Sequence, residues 1–288
     1  IMRLGPNDPV AAMVGEFASE DQIAEVRARF GFDRSLPEQL LRWFATLLAG
    51  DLGTSIYTGL PVSRLIVQRL EPTLLLAGSA MLIAVSLAVP LGVLAAWKAG
   101  AAADRAVMAF AVAAFSFPVF LISYSLVLVF SLWLELLPVQ GYRPPSDGLG
   151  PFLEHIALPA VSLGLIYSAL IARITRASVI EVLRQDFVRT ARSKGLSSVR
   201  ILLAHVLRNA AVPIVTVIGI GLAGLISGVV ITETVFAIPG IGRLTVDGIL
   251  NRDYPVIQGV ILFFSFVYLG INLVIDIAYA AIDPRIRY

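Results

Sequence analysis

Little in this chain can do covalent chemistry. It holds no cysteine and two histidines, His155 and His205, well separated in sequence. There is thus no disulfide framework, no thiolate metal site and no cysteine nucleophile, and a histidine metal site is disfavoured. A membrane enzyme would need paired catalytic groups, yet Asp276, in the last apolar run, has no second acid at that depth. No catalytic residue and no metal ligand is assigned. The chemically dense stretch is basic instead: eight Lys or Arg stand between Arg173 and Arg208, against Glu181 and Asp186. Such a run either satisfies membrane topology alone or serves as a handle gripped by another protein.

The surrounding elements decide between these. The 288 residues are 58% hydrophobic and 15% charged, with mean hydropathy +0.86; soluble domains run roughly 45–50% apolar and about 25% charged. Five apolar runs, at about 73–97, 107–137, 157–178, 210–232 and 256–282, reach the roughly 20 residues a membrane span needs. They are continuously apolar, which disfavours a transmembrane barrel. The fold class is all-α polytopic, with residues 71–288 as the membrane domain. A break is expected at Pro90-Leu91-Gly92 and a kink at Pro118. Arg173 and Arg176 can snorkel at the end of the third run. Gly219, Gly221, Gly224 and Gly228 allow close helix contact in the fourth.

Residues 1–70 form a polar segment with short helices. Ser19 and Gln22 make a capping box. Pro37 suits a first helical position and Gly50 a stop. Pro61 opens a third piece with Val62, Leu65, Ile66 and Leu70 on one face, suited to the membrane interface or to an ordinary soluble helix. Basic residues set orientation. Lys98 and Arg105, the run from Arg173 to Arg208, and Arg285 and Arg287 fall on one side; Arg143, Arg243 and Arg252 fall on the other. The basic segment and the C-terminus are therefore expected in the cytoplasm, with residues 5–70 outside. A sixth span before Ile1 would return the N-terminus to the cytoplasm.

Within the coupling region 181–209, Glu181 to Ala191 has helical character. Gly195 breaks it, and Ser197 or Ser198 can cap a second helix whose apolar face is Val199, Leu202, Leu203, Val206 and Leu207. A helix–Gly–helix elbow joined to two spans has a defined shape, which a purely topogenic loop does not need.

Residues 188–197, followed by His205-Val206-Leu207-Arg208-Asn209 and Pro213, resemble the coupling segment of ABC importer permeases. The match is to the dipeptide/oligopeptide branch, which also includes nickel and glutathione systems. The same branch is matched by Gly50-Asp51-Leu52-Gly53-Thr54-Ser55, by Glu233-Thr234-Val235-Phe236 with Pro239-Gly240-Ile241-Gly242, by Asn251-Arg252-Asp253-Tyr254-Pro255, and by the ending Asp283 to Tyr288. The resemblance covers essentially the whole chain. There are departures. Arg189-Thr190-Ala191 stands where importer permeases generally begin Glu-Ala-Ala, a variant typical of this branch. Arg208 stands where a Pro is often found, and Pro6-Asn7-Asp8-Pro9 where the branch has Pro-Gly-Asp-Pro.

The resemblance implies a type I importer permease fold and a set of partners: a homologous second permease, two ATPase subunits, an extracytoplasmic substrate-binding protein and membrane lipid, with no nucleic acid. The coupling residues would be Arg189, Thr190, Ala191, Arg192, Lys194, Gly195, Leu196 and Ser197. Ala191 and Gly195 would permit close approach to the ATPase, and Arg192 and Lys194 would meet acidic or carbonyl groups. ATP and magnesium belong to the partner subunits. The chain has no Gly-x-x-x-x-Gly-Lys-Ser/Thr loop, binds no cofactor of its own by this reading and is not an enzyme. Peptides are the default cargo; nickel and glutathione are the alternatives.

Polar or irregular groups at membrane depth complete the candidates. Pro239, Gly240 and Gly242 prevent a continuous helix beyond the fourth run, and irregular backbone there must be buried in protein or line a cavity. Glu233, Phe236, Ile238, Pro239, Gly240 and Gly242 therefore form a candidate outer gate, with Phe236 and Ile238 as plugs, or else an ordinary outside loop. Ser116, Pro118, Asn272 and Asp276 are candidate path or structural polar positions. Asp276 is expected to pair with a cytoplasmic Arg or Lys, and Ser116-Phe117-Pro118 to be a plain kink. A stand-alone secondary transporter would show inverted repeats or several mid-membrane charges, and neither is evident.

Overall fold

Lipid cannot hydrogen-bond a backbone, so a chain this apolar closes its backbone bonds inside helices. The computed structural model describes residues 35–282, together with Glu20, Ala24 and Asp33. The Ser19–Gln22 box, the stretch from Pro6 to Pro9 and the ending from Asp283 lie outside the described residues. Helix α1 spans Leu36–Leu48, with Pro37 in its first turn and Gly50 at φ 79° just past its end. Helix α2 is Val62–Trp97, and it contains both Pro72 and Pro90. The piece opened by Pro61 is thus the first turns of a long helix, not a separate interfacial one. No break occurs at Pro90 either. A side chain at Gly92 would stand 2.7 Å from the Ala172 carbonyl oxygen, so Pro-Leu-Gly is a close helix contact.

Helices α3 (Ala102–Ser116) and α4 (Val119–Trp133) meet at 103°. Phe117 is extended there (ψ 134°), the conformation a residue before proline prefers. The expected kink at Pro118 is therefore a sharp break. Helix α5 is Leu149–Leu183, α6 is Asp186–Ser193, and α7 is Ser198–Val235, with a π-helical stretch at Ile201–Val206. Helices α8 (Ile241–Leu250) and α9 (Tyr254–Ile282) complete the chain. Helices α2, α5, α7 and α9 are long and apolar enough to cross a membrane, and the bent α3–α4 pair counts as a fifth span if taken together.

The chain divides into two compact units. One is Ile1–Leu70 with Leu244–Phe263; the other is Glu71–Arg243 with Phe264–Tyr288. The second unit holds the main core. Leu76, Ala80, Ala84 and Ala88 form a buried ridge at four-residue spacing on α2, and they belong to one cluster with Leu163 and Ile171 of α5 and Leu225 and Val229 of α7. Small residues set the approach of the helices, as membrane packing favours: Gly219 faces Ile275 and Gly228 faces Leu163.

Arg176 does not snorkel. Its Nε donates to Asp104 Oδ1 and its Nη2 to Oδ2 at 2.7 Å, while the Gly100 N–H donates to Oδ2 at 2.8 Å. Asp104 is buried, and this fork ties the start of α3 to α5. Arg173 lies over the Phe115 ring, 6.0 Å from its centroid. Removing one partner of such a pair leaves a charge in an apolar setting, whereas removing both does not. Arg176→Met should therefore lower the melting temperature in detergent more than the double variant Asp104→Asn/Arg176→Met. A loss in the double variant equal to the sum of the Arg176→Met and Asp104→Asn losses would mean the pair is not coupled.

Candidate functional site

Two clusters of the second unit collect most of the residues singled out in the sequence. The first is the corner around α6. The helical character expected from Glu181 to Ala191 is interrupted: α5 ends at Leu183, Gln185 is extended, and α6 restarts at Asp186. The helix then stops at Gly195, whose φ of +76° suits glycine. No atom lies within 4 Å of where its Cβ would be, so backbone conformation, not space, selects this residue. The Leu196 N–H reaches back to the Ala191 carbonyl at 3.3 Å. Ser197 caps the next helix, accepting from the Arg200 N–H. That helix is α7 itself, so the second arm of the elbow is the beginning of the fourth span.

Val188 anchors the corner. It is 1% exposed and sits in a cluster with Val179, Val182, Ile201, Val206 and Ala210. Ala191 and Leu196 pack half-buried against the same cluster. They therefore face inward, and the close approach expected of Ala191 is to its own protein. Arg189, Thr190, Arg192, Lys194, Gly195 and Ser197 are exposed, with Phe187 beside them. The outward surface is cationic and polar over a buried apolar keel.

The second cluster is a clasp at the far end of α7. Glu233 is fully buried. Thr73 Oγ1 donates to its Oε1 at 2.6 Å, and the Arg243 N–H donates to Oε2 at 3.0 Å. The Ile241 N–H donates to Thr73 Oγ1 at 2.8 Å. A side chain at Gly240 would overlap the Glu233 carboxylate, and one at Gly242 would come within 2.9 Å of Oε2. The Pro-Gly-Ile-Gly turn is therefore bare because it wraps a carboxylate. Phe236 and Ile238, expected as plugs, are 2% and 0% exposed and belong to the main core. They hold the turn in place and do not stand free in a path.

The loop before α5 joins this clasp. The Gln140 side chain donates to the Val235 carbonyl at 3.0 Å and the Gly141 N–H to that of Phe236 at 2.9 Å. Tyr142 donates to Glu71 Oε1 at 3.2 Å. Burial, then the Glu71 carboxylate, pushes the Tyr142 phenol up to about 12, so it remains a donor at neutral pH.

The other polar candidates are not brought together. The Ser116 hydroxyl donates to the Val112 carbonyl of its own helix at 2.7 Å, and Pro118 is exposed at the α3–α4 break. The Asn272 side chain donates to the Tyr268 carbonyl at 2.8 Å, again within one helix. Asp276 is exposed on α9 and makes no ion pair with a described residue; Arg285 and Arg287 lie outside those residues. Thr73 went unnoticed in the sequence, as did the contact of Ser55 with Asp253 in the first unit. The last two sit in motifs already noted, Gly50 to Ser55 and Asn251 to Pro255, but spacing alone does not pair them.

The clasp makes a checkable claim about stability. A buried acceptor that loses its donor costs about 1–3 kcal/mol. Thr73→Val should destabilise the protein in detergent by about that amount, and Thr73→Ser by clearly less, as measured by thermal or denaturant unfolding. Equal effects would remove the hydroxyl from the account.

Comparison with known proteins places this geometry. The family described as binding-protein-dependent transport system inner membrane component matches residues 88–288. A probable peptide ABC transporter permease protein of Sinorhizobium fredii is 49% identical over 288 residues, covering 100% of this chain and 92% of the relative. The dipeptide transport system permease protein of Escherichia coli is 38% identical over 307 residues, covering 98% and 91%. Among solved structures, an inward-facing methionine ABC transporter, MetNI, superposes with a TM-score of 0.65 at 18% identity, over 77% of this chain and 97% of that one. The chain thus belongs to the binding-protein-dependent transport system inner membrane component family, as a multi-pass inner-membrane permease of the ABC importer class with the type I fold.

Proposed function

We propose that this chain forms half of the path of an ATP-driven peptide importer. Peptides would be delivered by an extracytoplasmic binding protein, and ATP would be hydrolysed on two separate ATPase subunits, where magnesium would also bind. The observation that carries the cargo assignment is the 49% identity over the full chain to a relative named as a peptide permease. The basic corner faces the cytoplasm in this proposal, and residues 5–70 face outward, as the Lys and Arg distribution favours.

The corner supplies the mechanical half of the reading. Its cationic surface, from Arg189 to Ser197, is the face an ATPase would grip. The Val188 keel seats that face on the ends of α5 and α7, so a push on α6 moves helices, not a slack loop. Helix α7 is 38 residues long, about 57 Å at 1.5 Å per residue. It runs from the Ser197 cap to the Glu233 clasp. Displacement at the corner would reach the clasp through one element, and the turn at 238–242 would shift as a packed body. That is the form in which the outer gate is retained.

Uptake in proteoliposomes holding both permeases, both ATPases and the binding protein tests the cargo. Peptides of two to five residues should accumulate with ATP. Accumulation of nickel chelates or glutathione instead would reassign the cargo on the same architecture. Coupling has its own test. Gly195→Val forces a β-branched residue to positive φ, and should lower uptake tenfold or more while nucleotide binding by the ATPases stays unchanged. Gly195→Asn, which tolerates that conformation, should retain more transport. Normal uptake by the valine variant would sink the coupling role.

A further inference from the structure

The last span carries an acid that no described contact uses. Only 6% of the apolar stretch of α9 is buried inside the chain, against 61% for α5. One side of α9 meets α7: Ile275 faces Gly219, and Tyr279 Oη donates to Thr216 Oγ1 at 2.8 Å. These contacts set the depth of Asp276, level with Gly219. At 1.5 Å per residue that is about 16 Å along α7 from Arg208 and about 9 Å along α9 from Ile282. Asp276 is exposed there and makes no ion pair or hydrogen bond with a described residue.

The exposed surface of α9 is not all alike. Phe266, Leu273, Val274 and Ile277 share one side and are 61–68% exposed, the surface that lipid tails cover. Tyr268, Asn272, Asp276 and Tyr279 recur on another side at three- and four-residue spacing. Asn272 commits its amide N–H to the Tyr268 carbonyl, which leaves its amide oxygen as an acceptor. The neighbouring line on α7 is Thr216, Ile220, Gly224 and Ser227, each exposed or half-exposed. The Thr216–Tyr279 bond sets the two lines edge to edge. Gly224 and Ser227 are small enough for another helix to approach closely.

Lipid is a poor cover for this face. An ionised acid against hydrocarbon is costly, and such acids are almost always paired. Lys and Arg can reach the interface on long stems; aspartate, with one methylene, cannot. A second copy of the chain is a poor cover too. A two-fold axis would lay the same residues on both sides, and neither α7 from Asn209 onward nor α9 holds a Lys, Arg or His. We propose that this α7–α9 face is the seam with a non-identical second permease, and that Asp276 selects that partner by pairing with a Lys or Arg on one of its spanning helices. A cation opposite turns a buried charge into an ion pair, whereas self-pairing would bury two carboxylates without one. The seam rests on the reading above, in which this chain forms half of the path. It adds which face meets the other half, and why a second copy does not fill that place.

The test uses the complete importer, both permeases and both ATPases, with the photoreactive residue benzoylphenylalanine placed at Tyr268 on the polar side or at Phe266 on the lipid side. Both replace one aromatic ring by another. Irradiation should join Tyr268's position to the other permease, with the adduct mapped by mass spectrometry beside a Lys or Arg of a spanning helix, and should join Phe266's position to no protein. An adduct with a second copy of this chain, with radiolabelled peptide during uptake, or with no protein at all overturns the seam. The selecting charge has its own readout. Asp276→Leu should lower the amount of the other permease recovered with this chain fivefold or more, and Asp276→Glu should retain it. If Asp276→Leu lowers the yield of this chain itself, Asp276→Asn carries the measurement. Recovery unchanged by loss of the charge overturns the role of Asp276. Uptake by the same importer with its binding protein separates the two levels. ATP-driven peptide uptake without the adduct overturns the seam and leaves import standing, whereas no uptake of any peptide overturns the import reading itself.

Discussion

A polar group inside a helical membrane domain has no water to fall back on, and most of this architecture follows from that constraint. Apolar side chains gain little by leaving lipid for one another, so they do not by themselves decide which helices touch. The polar groups decide. Glu233 can be buried only where Thr73, the Arg243 N–H and a glycine turn meet it. Asp104 can be buried only where Arg176 reaches it. Each contact joins segments far apart in sequence. Between them run surfaces of Ala and Gly, such as the Ala80–Ala84–Ala88 ridge, which let backbones approach closely enough for these bonds to form.

The same constraint explains why the corner at α6 can transmit force. Its exposed half is charged, but its inward half is a small apolar keel, and Val188, Ala191 and Leu196 commit it to one seat. The turn at Gly195 has no slack, because its conformation is set by a positive φ and a serine cap. Helix α7 leaves that turn directly. Its irregularities, the π-helical stretch at Ile201–Val206 and the internal Pro213, both lie in the half nearer the corner. A lever that bends near its handle and stays stiff beyond it delivers displacement to its far end.

What the sequence disclosed follows the same division. Length, apolarity and continuity of the runs announced the helices, because a span must be apolar wherever it touches lipid. The Gly195 stop and the Ser197 cap were legible because capping is local chemistry. Pro90 and Pro118 look alike in sequence but behave differently. Phe117 takes the extended conformation that proline favours before it, and the chain turns by 103°. At Pro90 the helix continues, with Gly92 pressed on the Ala172 carbonyl. Phe236 and Ile238 read as plugs because irregular backbone at membrane depth must either be buried in protein or line a cavity, and local sequence does not say which. The buried carboxylate that draws the turn inward depends on Thr73, 160 residues away, and no local pattern carries that distance.

These commitments bear on where cargo can be distinguished. In the second unit Glu233 and Asp104, its buried acids, are both taken up in holding helices together. A carboxylate that staples α3 to α5 or clasps a turn cannot also release its partner for a passing peptide without loosening the bundle. In the first unit Asp253 is taken up in the same way, holding the turn at 53–62 together with that turn's own backbone bonds. A permease that must let varied peptides through benefits from an apolar, structurally saturated passage.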